Sequence, residues 1–261
     1  MDRLTEQITE IVKDCGLFIL NADRRKSHVI SKEGHANFVT DYDKKVQEIL
    51  RRELLALLPG SRFVGEEDIN TGADNETADA ASQLSNGYSF IVDPIDGTTN
   101  FIKDYHASSI SVGLLKNGEQ FIGVVYNPYL DEMYSAKAGE GAYLNGKPVH
   151  VSENELSDGL VIMGTAPYYE ELYDDTFKMA RHYFSRSLDL RRSGSSAIDL
   201  CSIAAGRAEL FFELRLMPWD FAAGSLIVKE AGGVVRTAEG KPLRFDRPCS
   251  VIASNYACGN D

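Results

Sequence analysis

The hydrophobic pattern of the chain changes its period along the sequence, and this change constrains the fold more than any other feature. Apolar residues recur at helical spacing over residues 3–21 and again from about Asp41 to Leu58, which predicts two amphipathic helices. From Tyr88 onward the spacing becomes that of β-strands. Asn-Gly pairs at 117–118 and 145–146 are typical of two-residue hairpin turns, so the middle of the chain is predicted to form an antiparallel meander.

The last third of the chain alternates between short strand patterns and helical patterns. Helices are predicted near residues 171–185, around Ala197, and from "PWDFAAG" onward. Residues 69–87 are small and polar and are predicted to form a surface excursion. Because no repeat or long linker interrupts the pattern, we expect a mixed α/β or α+β fold in a single domain, residues 1–261, with two lobes that divide near residues 150–185.

The charge of the chain argues against some classes of partner. The sequence has 39 acidic and 27 basic residues and a formal net charge of -12, which disfavours non-specific binding to nucleic acid or to anionic membranes. It contains no apolar run of about 20 residues, and its amphipathic N-terminal segment is unlike a secretory signal. The four cysteines lack metal-binding or redox spacing. We therefore expect a cytoplasmic protein that binds neither nucleic acid nor membranes.

The stretch "FIVDPIDGTTNF", residues 90–101, ends an apolar strand pattern with two carboxylates three positions apart. The backbone amides of Gly97 and Thr98 are predicted to lie at the start of a helical turn, where free amides bind anions such as phosphate. Asp93 and Asp96 beside such amides suit a cation that bridges the carboxylates to a phosphate. The alternative is that both aspartates only cap a turn, and this stretch alone leaves both interpretations open.

Other acidic residues lie at further predicted junctions, and each also has an ordinary structural explanation. Glu66 in "GEED" is an exposed loop residue in that interpretation, and Asp220 in "PWDFAAG" is the N-cap of the following helix. Thr40 and Asp43 in "VTDYDKK" have the spacing of a capping box. Acids at several strand ends nevertheless favour one shared site, and carboxylates without histidine or cysteine suit a hard cation, Mg²⁺ above all.

Two long motifs resemble a known family. "DPIDGTTNF" and "WDFAAGSLIVKEAGG" resemble the two signatures of the inositol monophosphatase family of magnesium-dependent, lithium-sensitive phosphomonoesterases, and "GEE" before the first signature matches as well. The resemblance covers nearly the whole chain in order. It implies the layered α-β-α-β-α sandwich of the inositol monophosphatase and fructose bisphosphatase type, and a homodimer.

The resemblance also implies a role for individual residues. It implies two or three Mg²⁺ ions per site, with Mn²⁺ as a possible substitute, and attack on phosphorus by a metal-activated water. Thr98, backed by Asp43, is implied to hold that water, and Glu66 is implied to take part in catalysis. The amides of Gly97 and Thr98 are implied to bind the phosphate. The implied metal ligands are Glu66, Asp93, Ile95 through its backbone carbonyl, Asp96 and Asp220.

The side of the site that would receive the leaving group decides the substrate. Glu213 resembles the acid that binds a sugar or inositol hydroxyl, and Ser196 occupies a neighbouring position; the alternative for Glu213 is an outward or capping residue. Arg192 and Arg215 could pair with Glu213 or bind a second phosphate. Lys32 occupies a position where family members often carry a lysine, and a solvated surface lysine is an equal alternative.

The expected function is Mg²⁺-dependent hydrolysis of a phosphate monoester on a small polyol or sugar, similar to inositol 1-phosphate. Fructose 1,6-bisphosphatase, histidinol phosphatase and NADP phosphatase activities at the same site are alternatives. A hypothesis from another class is a regulatory or binding protein, since some relatives associate with the transcription machinery.

Overall fold

The computed structural model describes residues 2–22, 29–31, 38–68 and 84–258. Lys32 and most of the predicted surface excursion, residues 69–83, lie outside these ranges.

Two helices form the first layer. Helix α1 spans Arg3–Leu20 and helix α2 spans Asp41–Leu57, so each predicted helix ends one residue early. Asp2 caps α1 by accepting the Thr5 amide at 2.9 Å. Both helices bury an apolar stripe against the first sheet, which buries Phe90, Val92, Val112 and Val124 on this side. The stripes consist of Ile8, Val12, Cys15 and Ile19 on α1 and Val46, Leu50 and Leu54 on α2.

The described residues before position 150 contain nine strands. Strands β1 (Val29–Ser31) and β2 (Phe38–Thr40) form a separate antiparallel pair. The first large sheet consists of β3 (Arg62–Gly65), β4 (Tyr88–Asp96), β5 (Ser109–Lys116), β6 (Glu119–Asn127), β7 (Glu132–Lys137), β8 (Ala142–Leu144) and β9 (Lys147–Val149). These strands are neighbours in chain order, with β3 parallel to β4 and all other neighbours antiparallel. The predicted antiparallel meander is therefore confirmed.

Both predicted hairpin turns form at the Asn-Gly pairs. Asn117 and Gly118 have φ values of 54° and 85°, and Asn145 and Gly146 have φ values of 49° and 74°. Positive φ at both central residues is what a two-residue hairpin requires, and asparagine and glycine adopt it at low cost.

The helices and strands after residue 150 are β10 (Leu160–Met163), α4 (Tyr173–Phe184), β11 (Asp189–Arg191), α5 (Ser196–Ala204), β12 (Leu210–Leu216), α6 (Pro218–Glu230), β13 (Val234–Arg236) and β14 (Cys249–Ser254). The five strands form the second sheet in the order β11-β10-β12-β14-β13. Strands β11, β10 and β12 are parallel, whereas β14 is antiparallel to β12 and β13. A short helix α3, Thr98–Ile102, directly follows β4.

The layers stack in the order helix, sheet, helix, sheet, helix. Helices α5 and α6 lie between the two sheets, in a core that joins residues of β6 and β7 to residues of β12 and β14. Helix α4 covers the outer face of the second sheet through Ala180 and Tyr183. The predicted α-β-α-β-α sandwich is confirmed. The first sheet ends at Val149 and the second begins at Leu160, while the single two-lobed domain with a divide near 150–185 stays a prediction.

Close packing of α6 on the first sheet depends on two glycines. A Cβ atom on Gly113 would lie 2.8 Å from Cβ of Ala222, and one on Gly123 would lie 2.6 Å from the carbonyl oxygen of Ala223. Such contacts are too short for real side chains, so glycine lets the helix approach the strands directly. This approach brings the first turn of α6 towards the end of β4.

Candidate active site

Three aspartates meet where β4 ends and α6 begins. Ligand oxygens of Asp93, Asp96 and Asp220 all lie within 4.8 Å of one another. Asp93 and Asp96 are three positions apart, so a regular strand would place them on opposite faces of the sheet. The pairing of β4 with β5 shifts register between these two residues, and this irregularity allows both carboxylates to turn to the same side.

Each of these carboxylates is oriented by hydrogen bonds. Oδ2 of Asp96 accepts the hydroxyl of Ser195, the amide of Ala197 at 2.8 Å and the hydroxyl of Ser109 at 3.4 Å. Oδ1 of Asp93 accepts the amide of Ile95 at 3.0 Å. Because a carboxylate has about four acceptor positions, both groups retain capacity for a cation.

Asp220 is the third residue of α6, and its Oδ2 accepts the amide of Met217 at 2.7 Å. The interpretation of Asp220 as the N-cap of this helix is therefore wrong, because Met217 occupies that position. The carboxylate instead reaches back over the first turn, which fixes it at the helix start beside the end of β4.

Burial and mutual repulsion make the site unfavourable for bare negative charge. Burial, followed by the charges of Glu66, Asp96 and Asp220, raises the pKa of Asp93 well above its usual range. Burial likewise raises the pKa of Asp220 well above its usual range and that of Asp96 to about 6, although hydrogen bonds oppose the shift at Asp96. A bound cation would relieve this repulsion. Oxygen donors without histidine or cysteine suit a hard divalent ion, so the three aspartates fit a magnesium-like cofactor.

Glu66 lies beside this group of three aspartates. It begins the one-turn 3₁₀ helix Glu66–Asp68 after β3, and Gly65 pairs with Val92 in the parallel ladder, so the residues that follow them, Glu66 and Asp93, emerge side by side. The Glu66 charge raises the pKa of Asp93, Asp220 and Asp43. The interpretation of Glu66 as an exposed loop residue is wrong, since it is only partly exposed.

The Asp43 carboxylate forms hydrogen bonds with two different residues. Its Oδ2 accepts the amide of Thr40 at 2.8 Å, which confirms the predicted capping box. Its Oδ1 faces the Thr98 hydroxyl at 3.2 Å, and the same hydroxyl lies 3.1 Å from the carbonyl oxygen of Ile95. Burial, with a smaller contribution from the Glu66 charge, raises the pKa of Asp43 to about 7. The structural and the functional interpretation of Asp43 are thus compatible.

Gly97 is the N-cap of helix α3 and lies in the left-handed region, with φ of 85°. A Cβ atom here would come within 3.0 Å of the Ala107 carbonyl oxygen and 3.1 Å of the Gly194 carbonyl oxygen. Asn100 ties the same segments together by donating to the carbonyls of Ala107 and Ser193 at 2.7 and 2.9 Å. The predicted helical turn is present, and it begins directly after β4, the strand that carries Asp93 and Asp96.

Glu213 lies on the side of the site formed by β12 and α5. Its Oε1 accepts the amide of Ala166 at 2.8 Å and its Oε2 accepts the hydroxyl of Ser196 at 2.8 Å. The residue is 7% exposed, so its interpretation as an outward or capping glutamate is wrong. Burial raises the pKa of Glu213 to about 7 against the opposing effect of these two hydrogen bonds.

Arg192 lies near Glu213, and Arg215 follows Glu213 by two positions on β12. Nε of Arg192 donates to the Thr165 hydroxyl at 3.2 Å, and the Arg215 guanidinium lies 4.4 Å from the ring centre of Tyr169. The charge of Arg192 also lowers the pKa of Glu213. Positive charge is therefore present next to an otherwise acidic site.

Comparison with known proteins identifies the family. Residues 1–260 match the model of the inositol monophosphatase family. The chain belongs to this family. As a member of the inositol monophosphatase family it is a phosphomonoesterase.

Several family members are similar over most of their length. Inositol monophosphatase 2 of Solanum lycopersicum is 35% identical over 260 residues, covering 98% of this chain and 95% of the relative. A fructose-1,6-bisphosphatase/inositol-1-monophosphatase of Aquifex aeolicus is 34% identical, with coverage of 91% and 84%. The Nus factor SuhB of Salmonella typhimurium is 35% identical over 207 residues, with coverage of 78% and 73%.

Solved structures of the family share the fold. The extragenic suppressor protein suhB of Bartonella henselae has a TM-score of 0.87 at 30% identity and covers 98% of this chain and 95% of that one. The Thermotoga maritima IMPase has a TM-score of 0.83 at 33% identity, with coverage of 98% and 93%. Among the described residues, none of the helices has the length and apolar character needed to cross a membrane.

Two residues at this inositol monophosphatase-family site were missed by sequence reasoning. Ser195 is the N-cap of α5, a position that "SGSS" before an apolar helix could have indicated, but its bond to Asp96 depends on the tertiary fold. Tyr168 is 44% exposed, yet burial of its hydroxyl and the charges of Glu66 and Asp220 raise its pKa. No local signal points to Tyr168, because only the tertiary fold brings it near these acids.

Proposed function

We propose that this phosphomonoesterase hydrolyses the monoester of a small polyol or sugar, similar to inositol 1-phosphate, with Mg²⁺ as its cofactor. The observation that carries the proposal is the convergence of Asp93, Asp96 and Asp220 within 4.8 Å at the end of β4. Helix α3 begins two residues after Asp96, and the hydroxyl of its first residue, Thr98, is hydrogen-bonded to Asp43. The site thus combines groups for a cation, a phosphate and a water.

The proposed metal ligands are the carboxylates of Glu66, Asp93, Asp96 and Asp220 and the backbone carbonyl of Ile95, for two or three Mg²⁺ ions or for Mn²⁺. A bound divalent cation supplies positive charge that attracts phosphate and makes a neighbouring water more acidic. The hydrogen bonds from Ile95, Ala197 and Met217 hold three of these carboxylates in place before any ion arrives.

Thr98 and Asp43 orient the attacking water. The Thr98 hydroxyl is 3.2 Å from the Asp43 carboxylate, so a water bonded to Thr98 can pass a proton through the hydroxyl to Asp43. The second oxygen of Asp43 remains fixed by the Thr40 amide. In this proposal the amides of Gly97 and Thr98 bind the phosphate, with the positive φ of Gly97 turning the chain so that the helix start faces it.

Glu213 and Ser196 form the proposed binding site for the leaving group. Both oxygens of Glu213 already accept hydrogen bonds, from Ala166 and Ser196, and a carboxylate can accept more. A substrate hydroxyl that donates to Glu213 would fix the polyol ring. This contact favours a hydroxyl-rich substrate over an aromatic phosphate ester.

A bisphosphate such as fructose 1,6-bisphosphate is a second candidate substrate. The observation in its favour is the positive charge of Arg192, which acts on Glu213, together with Arg215 two positions after Glu213 on β12. A guanidinium binds phosphate oxygens in pairs, so either arginine suits a second phosphate. The name of the Aquifex aeolicus relative combines the two activities.

The test is a panel of phosphate esters, assayed with Mg²⁺ and after removal of metal by chelation. The panel contains inositol 1-phosphate, fructose 1,6-bisphosphate, histidinol phosphate, NADP and adenosine 3′,5′-bisphosphate. We expect Mg²⁺-dependent release of phosphate, inhibited by Li⁺, with the highest kcat/KM for a polyol or sugar monoester. A higher kcat/KM for fructose 1,6-bisphosphate that falls in Arg192→Ala would favour the second candidate. If no ester is hydrolysed faster with Mg²⁺ than without it, the proposal fails and a regulatory or binding role is favoured.

We also propose a homodimer in the cytoplasm: the family likeness supports the dimer, and four cysteines without metal or redox spacing support the location. Sedimentation of the purified protein would give the mass of two chains. A single-chain mass at micromolar concentration would contradict this part of the proposal.

A further inference from the structure

Helix α2 carries a polar stripe on one face. Asp43, Gln47 and Arg51 follow one another at intervals of four residues, which places them on the same side of the helix. Asp43 and Gln47 are 0% and 6% exposed. Asp43 contacts Thr98, whereas Gln47 and Arg51 both contact Asp68 in the short turn after β3. One rigid helix therefore contacts both Thr98 and the turn that contains Glu66.

The side-chain amide of Gln47 binds this turn through both its nitrogen and its oxygen. Its Nε2 donates to Oδ1 of Asp68 at 3.1 Å, and its Oε1 accepts the backbone amide of Glu67 at 2.9 Å. A Cβ atom on Gly65 would lie 2.2 Å from Oε1 of Gln47, so only glycine leaves room for this side chain. The turn after β3 therefore packs closely against helix α2.

Asp68 closes the turn from its far end. Its Oδ2 accepts the amide of Gly65 at 3.0 Å, so the chain folds back on itself around Glu66. Arg51 contacts both oxygens of Asp68, and its guanidinium lies 4.3 Å from the ring centre of Phe63 on β3. An exposed ion pair contributes less than about 1 kcal/mol to stability, so loss of this pair should leave the protein folded.

These contacts fix the chain on both sides of Glu66, through the amides of Gly65 and Glu67. The register of β3 and β4 places the backbone of Glu66 next to that of Asp93. We propose that Gln47, Arg51 and Asp68 are positioning residues that hold the Glu66 carboxylate beside Asp93 and thereby set the affinity of the site for its divalent cation. This inference rests on the proposed function, in which Glu66 is a metal ligand.

The test compares metal binding in variants of the turn. Asp68→Ala removes the acceptor of the Gly65 amide, and Asp68→Asn keeps an oxygen for it but loses the charge that pairs with Arg51. Arg52→Ala is the matched control, because Arg52 is the next residue on α2, is exposed and pairs with Glu53. Mn²⁺ binding is measured directly by paramagnetic resonance, and the Mg²⁺ concentration for half-maximal activity is measured alongside the substrate KM at saturating Mg²⁺.

We expect Asp68→Ala to weaken Mn²⁺ binding and to raise the half-maximal Mg²⁺ concentration by about tenfold, as is typical when partners of a metal ligand are lost. Asp68→Asn should recover part of the affinity, and Arg52→Ala should bind like the wild type. The substrate KM at saturating Mg²⁺ should stay within about twofold of the wild-type value. If Asp68 only stabilises the packing of α2 on β3, the loss of its side chain would lower the melting temperature without this selective effect on metal affinity.

Wild-type Mn²⁺ affinity in folded Asp68→Ala and Asp68→Asn would overturn the inference while leaving the proposed function intact. Failure of the wild type itself to bind Mn²⁺ would overturn the proposed function, and the inference with it. Should Asp68→Ala not fold, Asp68→Asn and Gln47→Met carry the same comparison. Gln47→Met keeps a similar volume but removes the partner of the Glu67 amide, and an unchanged Mn²⁺ affinity in this variant would count against the inference.

Discussion

The hydroxyl of Thr98 lies 3.2 Å from Oδ1 of Asp43, although the two residues are 55 positions apart in the chain. Asp43 sits in the first turn of α2 and Thr98 in the first turn of α3, so the contact joins two helix starts. The other oxygen of Asp43 is fixed by the Thr40 backbone amide. The Thr98 hydroxyl is thereby directed by a rigid capping box, which is the arrangement needed to orient a water for attack.

Thr98→Ala should lower kcat by about 100-fold or more with little change in KM, because positioned proton transfer contributes to the transition state rather than to substrate binding. Steady-state kinetics at saturating Mg²⁺ measure this. Thr99→Ala is the matched control, since Thr99 is exposed on the same short helix and should retain wild-type kinetics. Equal losses in kcat and in substrate affinity would argue against a water-orienting role for Thr98.

Ser195→Ala should weaken both α5 and the metal site. The variant loses the N-cap of α5, which costs about 1 kcal/mol of unfolding free energy, and it loses the hydroxyl that donates to Asp96. We expect a lower midpoint in urea unfolding and a Mg²⁺ requirement raised by about tenfold.

Ser202→Ala, on the same helix, is the control for this experiment, because the Ser202 hydroxyl donates to the Ile198 carbonyl of its own helix. Loss of this bond should change the free energy of unfolding by no more than about 1 kcal/mol and should leave the Mg²⁺ requirement unchanged. An unchanged Mg²⁺ requirement in Ser195→Ala would show that its bond to Asp96 does not support the metal site.

Glu213 should make the stability of the wild type depend on pH. Burial raises its folded-state pKa to about 7, above its unfolded value, so the stabilising contribution is complete below the unfolded pKa and is lost as pH rises through about 7. Between about pH 5 and pH 8 the free energy of unfolding of the wild type should fall by about 2–3 kcal/mol relative to that of Glu213→Gln, since one pKa unit corresponds to about 1.4 kcal/mol.

Urea unfolding of wild type and Glu213→Gln across this pH range measures the difference. Any constant offset from the altered hydrogen bonds to Ala166 and Ser196 is independent of pH and does not affect the slope. Glu153→Gln, at an exposed position, should run parallel to the wild type. Parallel curves for wild type and Glu213→Gln would contradict a raised pKa at Glu213.

Local patterns predicted much of the fold. The stripes of α1 and α2 have helical spacing, and the Asn-Gly pairs supply the positive φ values of both hairpin turns. The capping box of Thr40 and Asp43 was also predicted, because its two partners are three residues apart. Such features depend on neighbours in the chain, so the sequence shows them directly.

Local sequence patterns did not predict the contacts between segments that are distant in the chain. The hydrogen bond from Ser195 to Asp96 spans 99 positions in the chain. The hydrogen bond from Gln47 to Asp68 joins helix α2 to the turn that follows β3. Pro94, which cannot donate to a strand ladder, marks the register shift between Asp93 and Asp96, but it does not show that both carboxylates turn to one side. Sequence reasoning also misplaced Asp220 at the N-cap, because a proline at the first helical position moves the cap back to Met217.

The most direct test of the central claim is a calorimetric titration of Mg²⁺ into metal-stripped wild type and Asp93→Asn, with phosphate-ester hydrolysis measured on the same samples. Asp174→Asn, at an exposed position on α4, is the control. We predict saturable Mg²⁺ binding and turnover in the wild type and the control, and loss of both in an Asp93→Asn protein that still folds cooperatively. Mg²⁺ binding and turnover at wild-type levels in Asp93→Asn would contradict the account.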